Sequence, residues 1–296
     1  MKQSVFIKTM KPKVKHFGES ISLLKRNRLT CLSFYAVIML LLIAVMAPVL
    51  LPAAQHIDQA TNPTEKLLGP SLEHPFGTDE LGRDLFKRVL LGTRISLQTA
   101  LVAVLCAIMI GVPLGAVAGF FGGAIDEIIM RITDIFLGFP PLLLAMSIAA
   151  FMGPSLRNAT LAIAVAWWPW FTRIVRGQAV SLRERQFVRA AVAIGTPSYK
   201  IVYKHIIPNC LAPIIVQSTM DLGAVILTIS SLSFLGLGAQ PPQPEWGLIV
   251  STSRNYFLNA WWYSIFPGAA IAFTVLVFNL LGDGLREIMD PRTRNV

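Results

Sequence analysis

The chain has 296 residues, of which 54% are hydrophobic and only 14% are charged, with a formal net charge of +10. In an average soluble domain about a quarter of the residues are charged, so this composition excludes an ordinary globular protein. A helix that crosses the ~30 Å hydrocarbon core of a bilayer needs about 20 apolar residues, and this chain has apolar runs of that kind. The sequence therefore predicts an all-α integral membrane protein.

Six apolar runs predict six transmembrane helices. They lie at Leu29–Leu51, Ile95–Gly119, Glu127–Phe151, Ala159–Val175, Ala212–Leu232 and Tyr263–Leu281. Basic residues are concentrated before the first run and between the fourth and fifth runs. Lys and Arg accumulate on the cytoplasmic side of membrane proteins, so both termini are predicted to be cytoplasmic. This topology accounts for the net charge, and no nucleic-acid partner is predicted, because no basic stretch is interleaved with aromatic residues.

The runs divide the chain into segments. Residues 1–28 are predicted to form a basic cytoplasmic segment, 29–51 the first span, 52–94 an extracytoplasmic loop, 95–281 the five-span core and 282–296 a cytoplasmic tail. The loop contains apolar residues at helical spacing and two i,i+4 Asp–Arg pairs: Leu81, Leu85 and Val89, with Asp79/Arg83 and Asp84/Arg88. This pattern predicts an amphipathic helix, which either lies on the membrane surface or contacts a partner.

Prolines interrupt two of the predicted spans, Pro140 and Pro141 in the third and Pro169 in the fourth. A proline inside a helix removes one backbone hydrogen bond and bends the axis. Membrane proteins tolerate such breaks where neighbouring helices or a water-filled path satisfy the freed carbonyls. The prolines therefore predict bent helices, which serve either as gating bends or as kinked packing helices.

A basic segment at 182–208 connects the fourth and fifth predicted spans. Ala190 and Ala191 lack side-chain bulk, so the surface of another protein can approach closely there. Arginines such as Arg189 can pair with acidic groups on that surface. The alternative is a positively charged loop that only sets the membrane topology.

The sequence within this segment predicts two short helices with a sharp joint. Gly195 suits the left-handed backbone conformation that ends many helices. Thr196 is a good N-cap and Pro197 a good first residue for the next helix. That helix is predicted to end near Ile206, because the residue before Pro208 is biased out of the helical region.

Asp221 is the one acidic residue that lies deep in a predicted span. It is roughly 14 Å along the fifth span, at a helical rise of 1.5 Å per residue. Buried acids in membranes are costly and usually face a partner or a watery path. Asp221 is therefore predicted either to line such a path or to form a hydrogen bond inside the helix bundle.

The sequence has no pattern typical of an enzyme. No Lys follows a Gly, so the chain lacks a P-loop of the type that cradles nucleotide phosphates. The four His and three Cys residues show no spacing typical of a metal site or a disulfide framework. No catalytic, cofactor-binding or metal site is predicted in this chain.

The segment 187–209, "FVRAAVAIGTPSYKIVYKHIIPN", resembles the "EAA" loop of permease subunits in binding-protein-dependent ABC importers. The matching positions are Ala190, Ala191, Gly195, Ile207 and Pro208, while Arg189 stands where that family usually has Glu. Four further segments, "FGTDELGRD", "RITDIFLGFP", "SFLGLGAQPPQPEWG" and "NLLGDGLREIMDPR", resemble the C-type subunit of the dipeptide, oligopeptide and nickel permeases.

The resemblance implies a type I ABC importer permease fold in the bacterial inner membrane. It also implies four partner subunits: a second six-span permease, two ATP-binding cassette subunits and an extracytoplasmic solute-binding protein. ATP and Mg²⁺ would be bound by the ATPases, which would dock on the segment around 187–209 and drive alternating access. Residues implied at this coupling loop are Arg189, Ala190, Ala191, Gly195, Thr196, Pro197 and Pro208, with Asp221 as a candidate for the translocation pathway.

The substrates implied are small peptides first, with nickel, metal chelates and related solutes as alternatives. A competing hypothesis from the residues is a secondary transporter driven by an ion gradient. That class predicts inverted repeats and several ionisable residues near the midplane. The sequence has no visible internal repeat, and Asp221 stands alone at that depth.

Overall fold

The computed structural model describes residues 28–51 and 61–289, in which the regular elements are all helices. The predicted basic segment up to residue 27, loop residues 52–60 and tail residues 290–296 lie outside the described residues. The α-helices in chain order are α1 (Arg28–Leu50), α2 (Leu85–Phe121), α3 (Gly123–Leu137), α4 (Pro141–Met152), α5 (Leu156–Arg183), α6 (Gln186–Ala193), α7 (Ser198–Ile201), α8 (Leu211–Phe234), α9 (Trp246–Ser253) and α10 (Trp261–Met289).

Four stretches of the described chain are long and apolar enough to cross a membrane. They are α1, α2, the continuous run Ser198–Phe234 and α10. Helices α3 and α4 make a fifth if the bent pair counts as one span. The predicted fourth span lies inside α5, which contains four arginines and is less apolar than the others. The chain is therefore a multi-helix membrane protein, and the number of six spans remains a prediction.

Helix α2 extends beyond both ends of the second predicted span, Ile95–Gly119. Helix α2 begins at Leu85, where Asp84 Oδ1 accepts a hydrogen bond from Lys87 N at 3.0 Å, and it continues to Phe121. Leu85 and Val89 are buried by the rest of the chain, so this stretch does not form a separate helix on the membrane surface. The amphipathic stretch and the apolar run share one helical register without a proline between them, and one helix therefore contains both.

The bend predicted at Pro140 and Pro141 is confirmed. Pro141 is the first residue of α4, a position where the missing N–H of proline costs little, and the axes of α3 and α4 differ by 87°. Ion pairs from α5 hold α3 in place: Arg176 Nη2 lies 2.6 Å from Asp126 Oδ2, and Arg173 pairs with Asp134. Pro169 lies inside α5 without ending it.

Helices α2 and α5 form the central contact of the fold through a stripe of glycines. Gly111, Gly115 and Gly119 follow one another at intervals of four residues on α2. A Cβ atom at Gly111 or Gly115 would overlap a backbone carbonyl of α5, that of Trp168 or Thr172 respectively. Small residues at this spacing let two membrane helices approach until their backbones touch. The stripe therefore fixes the distance between α2 and α5.

A cap formed by residues 61–84 covers one end of the bundle. Its centre is Asp79, which is fully buried and accepts a hydrogen bond from Arg83 Nε at 2.6 Å, so the predicted Asp79/Arg83 pair is confirmed. The cap also contacts the start of α10, because Trp262 Nε1 donates to the Thr78 carbonyl and the Tyr263 hydroxyl donates to Glu80.

Candidate functional site

The joint between α6 and α7 has the conformation predicted for Gly195. The backbone φ angle of Gly195 is +78°. Gly195 N donates to the Val192 carbonyl at 2.9 Å and Thr196 N donates to the Ala191 carbonyl at 3.0 Å. These two bonds are the Schellman arrangement that closes a helix at a left-handed glycine. A Cβ atom at Gly195 would meet no atom within 4 Å, so only the backbone conformation restricts this position.

Two details of the predicted joint are wrong. Pro197, not Thr196, occupies the N-cap position of α7, and Thr196 N closes the preceding helix. The second helix also does not end near Ile206. It continues through a π turn at Val202–Ile206 and a 3-10 turn at Ile207–Cys210 into α8. The altered turns accommodate Pro208, which has no N–H to donate to a regular α-helical ladder.

The side chains of the joint divide between the core and the surface. Ala191 is buried with Val188 against the rest of the chain, whereas Ala190 is exposed, so only one of the two alanines is available to another protein. We define the joint surface as the exposed apolar side chains around Gly195: Phe187, Ala190, Val192, Ile194, Tyr199 and Tyr203. Contiguous exposed apolar side chains next to a charged segment are typical of a protein-contact surface.

Arg189 forms an ion pair inside the chain. Its Nη2 atom lies 2.6 Å from Glu184 Oε2, and Arg183 Nε lies 3.4 Å from Oε1 of the same carboxylate. The hydrogen bonds from Arg189 and Arg183 hold the pKa of Glu184 below its usual range, that from Arg189 most strongly. The side chains of Arg189 and Glu184 are both well exposed, and exposed ion pairs of this kind contribute little stability. Arg189 therefore has an acidic partner without a second subunit.

Asp221 lies in the interior of the bundle, on α8. It is 7% exposed, and Gln217 Nε2 donates to its Oδ1 at 2.9 Å. Its Oδ2 atom is buried and accepts no hydrogen bond from the described residues, and the indole of Trp167 lies close to the carboxyl group. A carboxylate with one unsatisfied oxygen in this setting is costly to keep, which is typical of a functional rather than a packing residue.

A further buried carboxylate, which the sequence patterns did not predict as functional, is that of Glu245 in the segment before α9. This side chain is fully buried, and its Oε2 accepts a hydrogen bond from Leu248 N at 2.9 Å. The sequence does contain a local signal for this residue, because an acid directly before an apolar helix is a good N-cap. Within the described ranges, no group of three or more His, Cys, Asp and Glu side chains is arranged to hold a metal ion.

Comparison with known proteins places the chain among transport proteins. Residues 111–295 match the family described as "Binding-protein-dependent transport system inner membrane component". The dipeptide transport system permease protein DppC of Alkalihalophilus pseudofirmus is 47% identical over 95% of this chain and 92% of that protein. The probable D,D-dipeptide transport system permease protein DdpC of Escherichia coli is also 47% identical, over 91% of this chain and 90% of that protein.

The fold is also shared with a solved structure. A chain of the MetNI methionine ABC transporter in an inward-facing conformation aligns with a TM-score of 0.55, over 68% of this chain and 96% of that chain, at 19% identity. The family match and the permease relatives contradict the alternative of a secondary transporter driven by an ion gradient. The chain belongs to the family of inner-membrane components of binding-protein-dependent transport systems, and it is a multi-pass permease subunit of an ATP-driven importer in the bacterial inner membrane.

Proposed function

We propose that this permease moves small peptides into the cell. The relatives that support this are named for dipeptides, D,D-dipeptides and di- or tripeptides. One relative, from Pectobacterium atrosepticum, is named for glutathione and is 45% identical over 77% of this chain. All these solutes are short peptides with free charged ends, so a peptide substrate is better supported than nickel or a metal chelate.

The complete transporter contains this chain, a second six-span permease, two ATP-binding cassette subunits and an extracytoplasmic solute-binding protein, within membrane lipid. ATP and Mg²⁺ bind to the cassette subunits. The chain itself crosses the membrane six times, with α5 and the bent pair α3–α4 each counted as a span, and both termini are cytoplasmic. Residues 29–51 are the first span, the core begins with α2 instead of at residue 95, and residues 282–296 are the tail.

The joint surface is where we place the docking of a cassette subunit. The observation that carries this is the combination of a capped, left-handed joint at Gly195 with exposed apolar side chains on both sides of it. Helix α7 continues without interruption into α8, so a push on the joint moves a membrane helix directly. Arg189, Ala190, Gly195, Thr196, Pro197 and Pro208 form this coupling region, while Ala191 supports it from the core.

The test replaces Gly195 with Val, which is disfavoured in the left-handed region by about 1–2 kcal/mol or more. We expect the variant to insert into the membrane, to recover at most a tenth of the cassette subunits in a mild-detergent pull-down, and to lose ATP-driven uptake of a radiolabelled dipeptide in proteoliposomes. Excess Ni²⁺ should leave uptake by the unmodified transporter unchanged.

Gly236→Val is the matched control. Gly236 also has a positive φ angle, +81°, open space around its Cβ position, and the same pair of hydrogen bonds closing the preceding helix, but it lies after the far end of α8. The two variants therefore place the same substitution in the same kind of helix-ending joint at different ends of the chain's fifth predicted span. Full recovery of cassette subunits with Gly195→Val, or equal loss with both variants, would refute docking at the joint surface.

A further inference from the structure

The coupling region and the opposite face of the membrane are connected by one uninterrupted helical path. The run Ser198–Phe234 has 37 residues, which corresponds to a length of roughly 55 Å at 1.5 Å per residue. One end begins three residues after Gly195 and the other end contacts α9. We refer to this run as the rod. The rod contains the π and 3-10 turns at Val202–Cys210 and then the regular helix α8. Packed helices move largely as bodies, so a displacement of α8 at the turns is carried to its far end.

Glu245 lies where the rod meets two other elements. Its Oε1 atom accepts from Ser230 Oγ on the rod at 3.4 Å and from Ser96 Oγ on α2, also at 3.4 Å. Its Oε2 atom caps the start of α9 through Leu248 N. A single carboxylate thus connects three helices, and its fully buried position keeps water from replacing any of these contacts.

Further contacts hold α9 to the rod, to α2 and to α10. On the rod side, Ser251 Oγ donates to the Phe234 carbonyl at 2.8 Å, and a Cβ atom at Gly247 would overlap the backbone of Ser230. On the α2 side, Trp246 Nε1 donates to the Val89 carbonyl at 2.9 Å. At its C-terminal end α9 is also bound to α10, because Thr252 Oγ1 lies 2.9 Å from the Tyr263 hydroxyl and Ser253 Oγ lies 2.6 Å from Ser264 Oγ. Helix α9 therefore joins the rod to α2 and α10.

The two serine contacts share one oxygen and are both long. Each is 3.4 Å, whereas an O–H···O hydrogen bond is commonly 2.7–2.8 Å. Either hydroxyl can approach or withdraw from the Glu245 carboxylate when its helix moves, because the two serines lie on different helices. This geometry permits the rod and α2 to shift relative to each other while the buried carboxylate keeps a partner.

We propose that Glu245 is a positioning residue that transmits movement of the rod to α9, and so links the cassette subunits to the far face of the permease. This rests on the proposed docking at the joint surface. When ATP moves the joint, the rod carries Ser230 and Phe234 with it, and the contacts of Glu245 and Ser251 pull α9 away from its place beside α2. The Glu245 carboxylate does not react with substrate.

The test measures two distances by double electron–electron resonance in the complete transporter in nanodiscs, without nucleotide and after trapping with ATP and vanadate. The native Cys31, Cys106 and Cys210 are first replaced by Ala. One spin-label pair, at Arg94 and Arg254, reports the position of α9 relative to α2. The other pair, at Phe121 and Lys204, reports the position of the start of the rod, next to the joint, relative to the C-terminal end of α2. All four label sites are exposed.

We expect trapping to change both distances in the otherwise unmodified protein. Ser230→Ala should remove at least half of the change at the Arg94/Arg254 pair and leave the change at the Phe121/Lys204 pair intact. Ser96→Ala should preserve both changes, because it leaves α9 attached to the rod. Ser231→Ala is the control on the rod, since Ser231 Oγ donates only to the Leu227 carbonyl of its own helix.

The outcomes separate this proposal from the one on which it rests. A full Arg94/Arg254 change in Ser230→Ala, or an equal loss in Ser96→Ala, would mean that Glu245 only braces the fold and would overturn the proposal. No change at the Phe121/Lys204 pair in the unmodified protein would instead contradict docking at the joint surface. The proposed role of Glu245, which depends on that docking, would then be refuted as well. Glu245→Ala adds a stronger perturbation, and the serine variants decide the question if that variant does not fold.

Discussion

At the scale of single residues, the contacts of Asp221 do not account for a buried carboxylate that serves only packing. Gln217 satisfies one oxygen of the carboxylate, and the other accepts no hydrogen bond from the described residues. An amide would fill the same volume and cost less to bury, since an unpaired buried charge is far more costly than a neutral group. We therefore propose that the charge of Asp221 serves the translocation pathway.

Asp221→Asn tests this, because it keeps the shape of the side chain and removes only the charge. We expect ATP-driven dipeptide uptake to fall at least five-fold, while insertion and recovery of the cassette subunits stay unchanged. Asp221→Glu, which keeps the charge, should retain more uptake than the amide variant. Unchanged uptake by Asp221→Asn would show that the carboxylate serves only the internal bond to Gln217.

Gly195 and Thr196 show which helix-capping roles can be predicted from residue type alone. The left-handed conformation of Gly195 follows from the residue itself, and it was predicted correctly. Thr196 belongs to the end of the preceding helix, because its N–H donates to the Ala191 carbonyl, and the N-cap position of α7 falls one residue later, on Pro197. A pattern of capping residues does not decide whether a residue beside a left-handed glycine ends one helix or begins the next.

At the scale of elements, the packing of α2 against α5 depends on three glycines. Gly115→Leu would place a large side chain where even a Cβ atom overlaps the Thr172 carbonyl. Overpacking typically costs about 1–3 kcal/mol, and a clash with backbone belongs at the upper end. We expect the thermal midpoint of the purified permease, followed by fluorescence-detected size exclusion, to fall by several degrees and the yield to drop.

Gly177→Leu provides the comparison for this prediction. Gly177 lies on α5, in the same helix pair, but a Cβ atom there would meet nothing within 4 Å. Both variants carry the same gain in helix propensity and the same added volume. Equal thermal midpoints for the two would show that the glycine stripe does not set the distance between α2 and α5.

The sequence predicted which stretches are helical better than where the helices end. Apolar runs identify helices because burial in lipid requires them, and five of the six predicted runs lie in helices that are apolar enough to span the membrane, one of them bent. The start of α2 was missed because the cap buries its first turns, and the cap is held by residues far along the chain. The position of Glu245 between three helices likewise depends on tertiary contacts and not on local sequence.

At the scale of the whole molecule, the topology determines which surfaces meet which partners. With six spans, the cap and α9 lie outside the cell and the joint surface lies in the cytoplasm. Two exposed positions can be labelled to test this topology: Leu72 on the cap and Tyr203 on the joint surface. In a background without native cysteines, Leu72→Cys should react with a membrane-impermeant maleimide in spheroplasts, whereas Tyr203→Cys should react only after the membrane is permeabilised.

Other labelling patterns would change the number of spans. If both cysteines react from outside, α5 or the bent pair α3–α4 does not cross the membrane, and the joint surface cannot meet a cytoplasmic ATPase. If Tyr203→Cys reacts in spheroplasts and Leu72→Cys reacts only after permeabilisation, the cap is cytoplasmic and the orientation is reversed. Only the pattern with Leu72→Cys labelled from outside and Tyr203→Cys protected inside agrees with the proposed importer.

The contact between the cap and the start of α10 also sets an order of events during synthesis. Thr78 and Glu80 bind Trp262 and Tyr263, which follow 184 and 183 residues later in the chain. At a ribosomal rate of about 5–20 residues per second, the cap waits roughly 10 to 40 s for these partners. During that interval Glu80 can pair with Arg83 inside the cap but not with Tyr263. We therefore expect the cap to be more accessible to proteases until α10 has been synthesised.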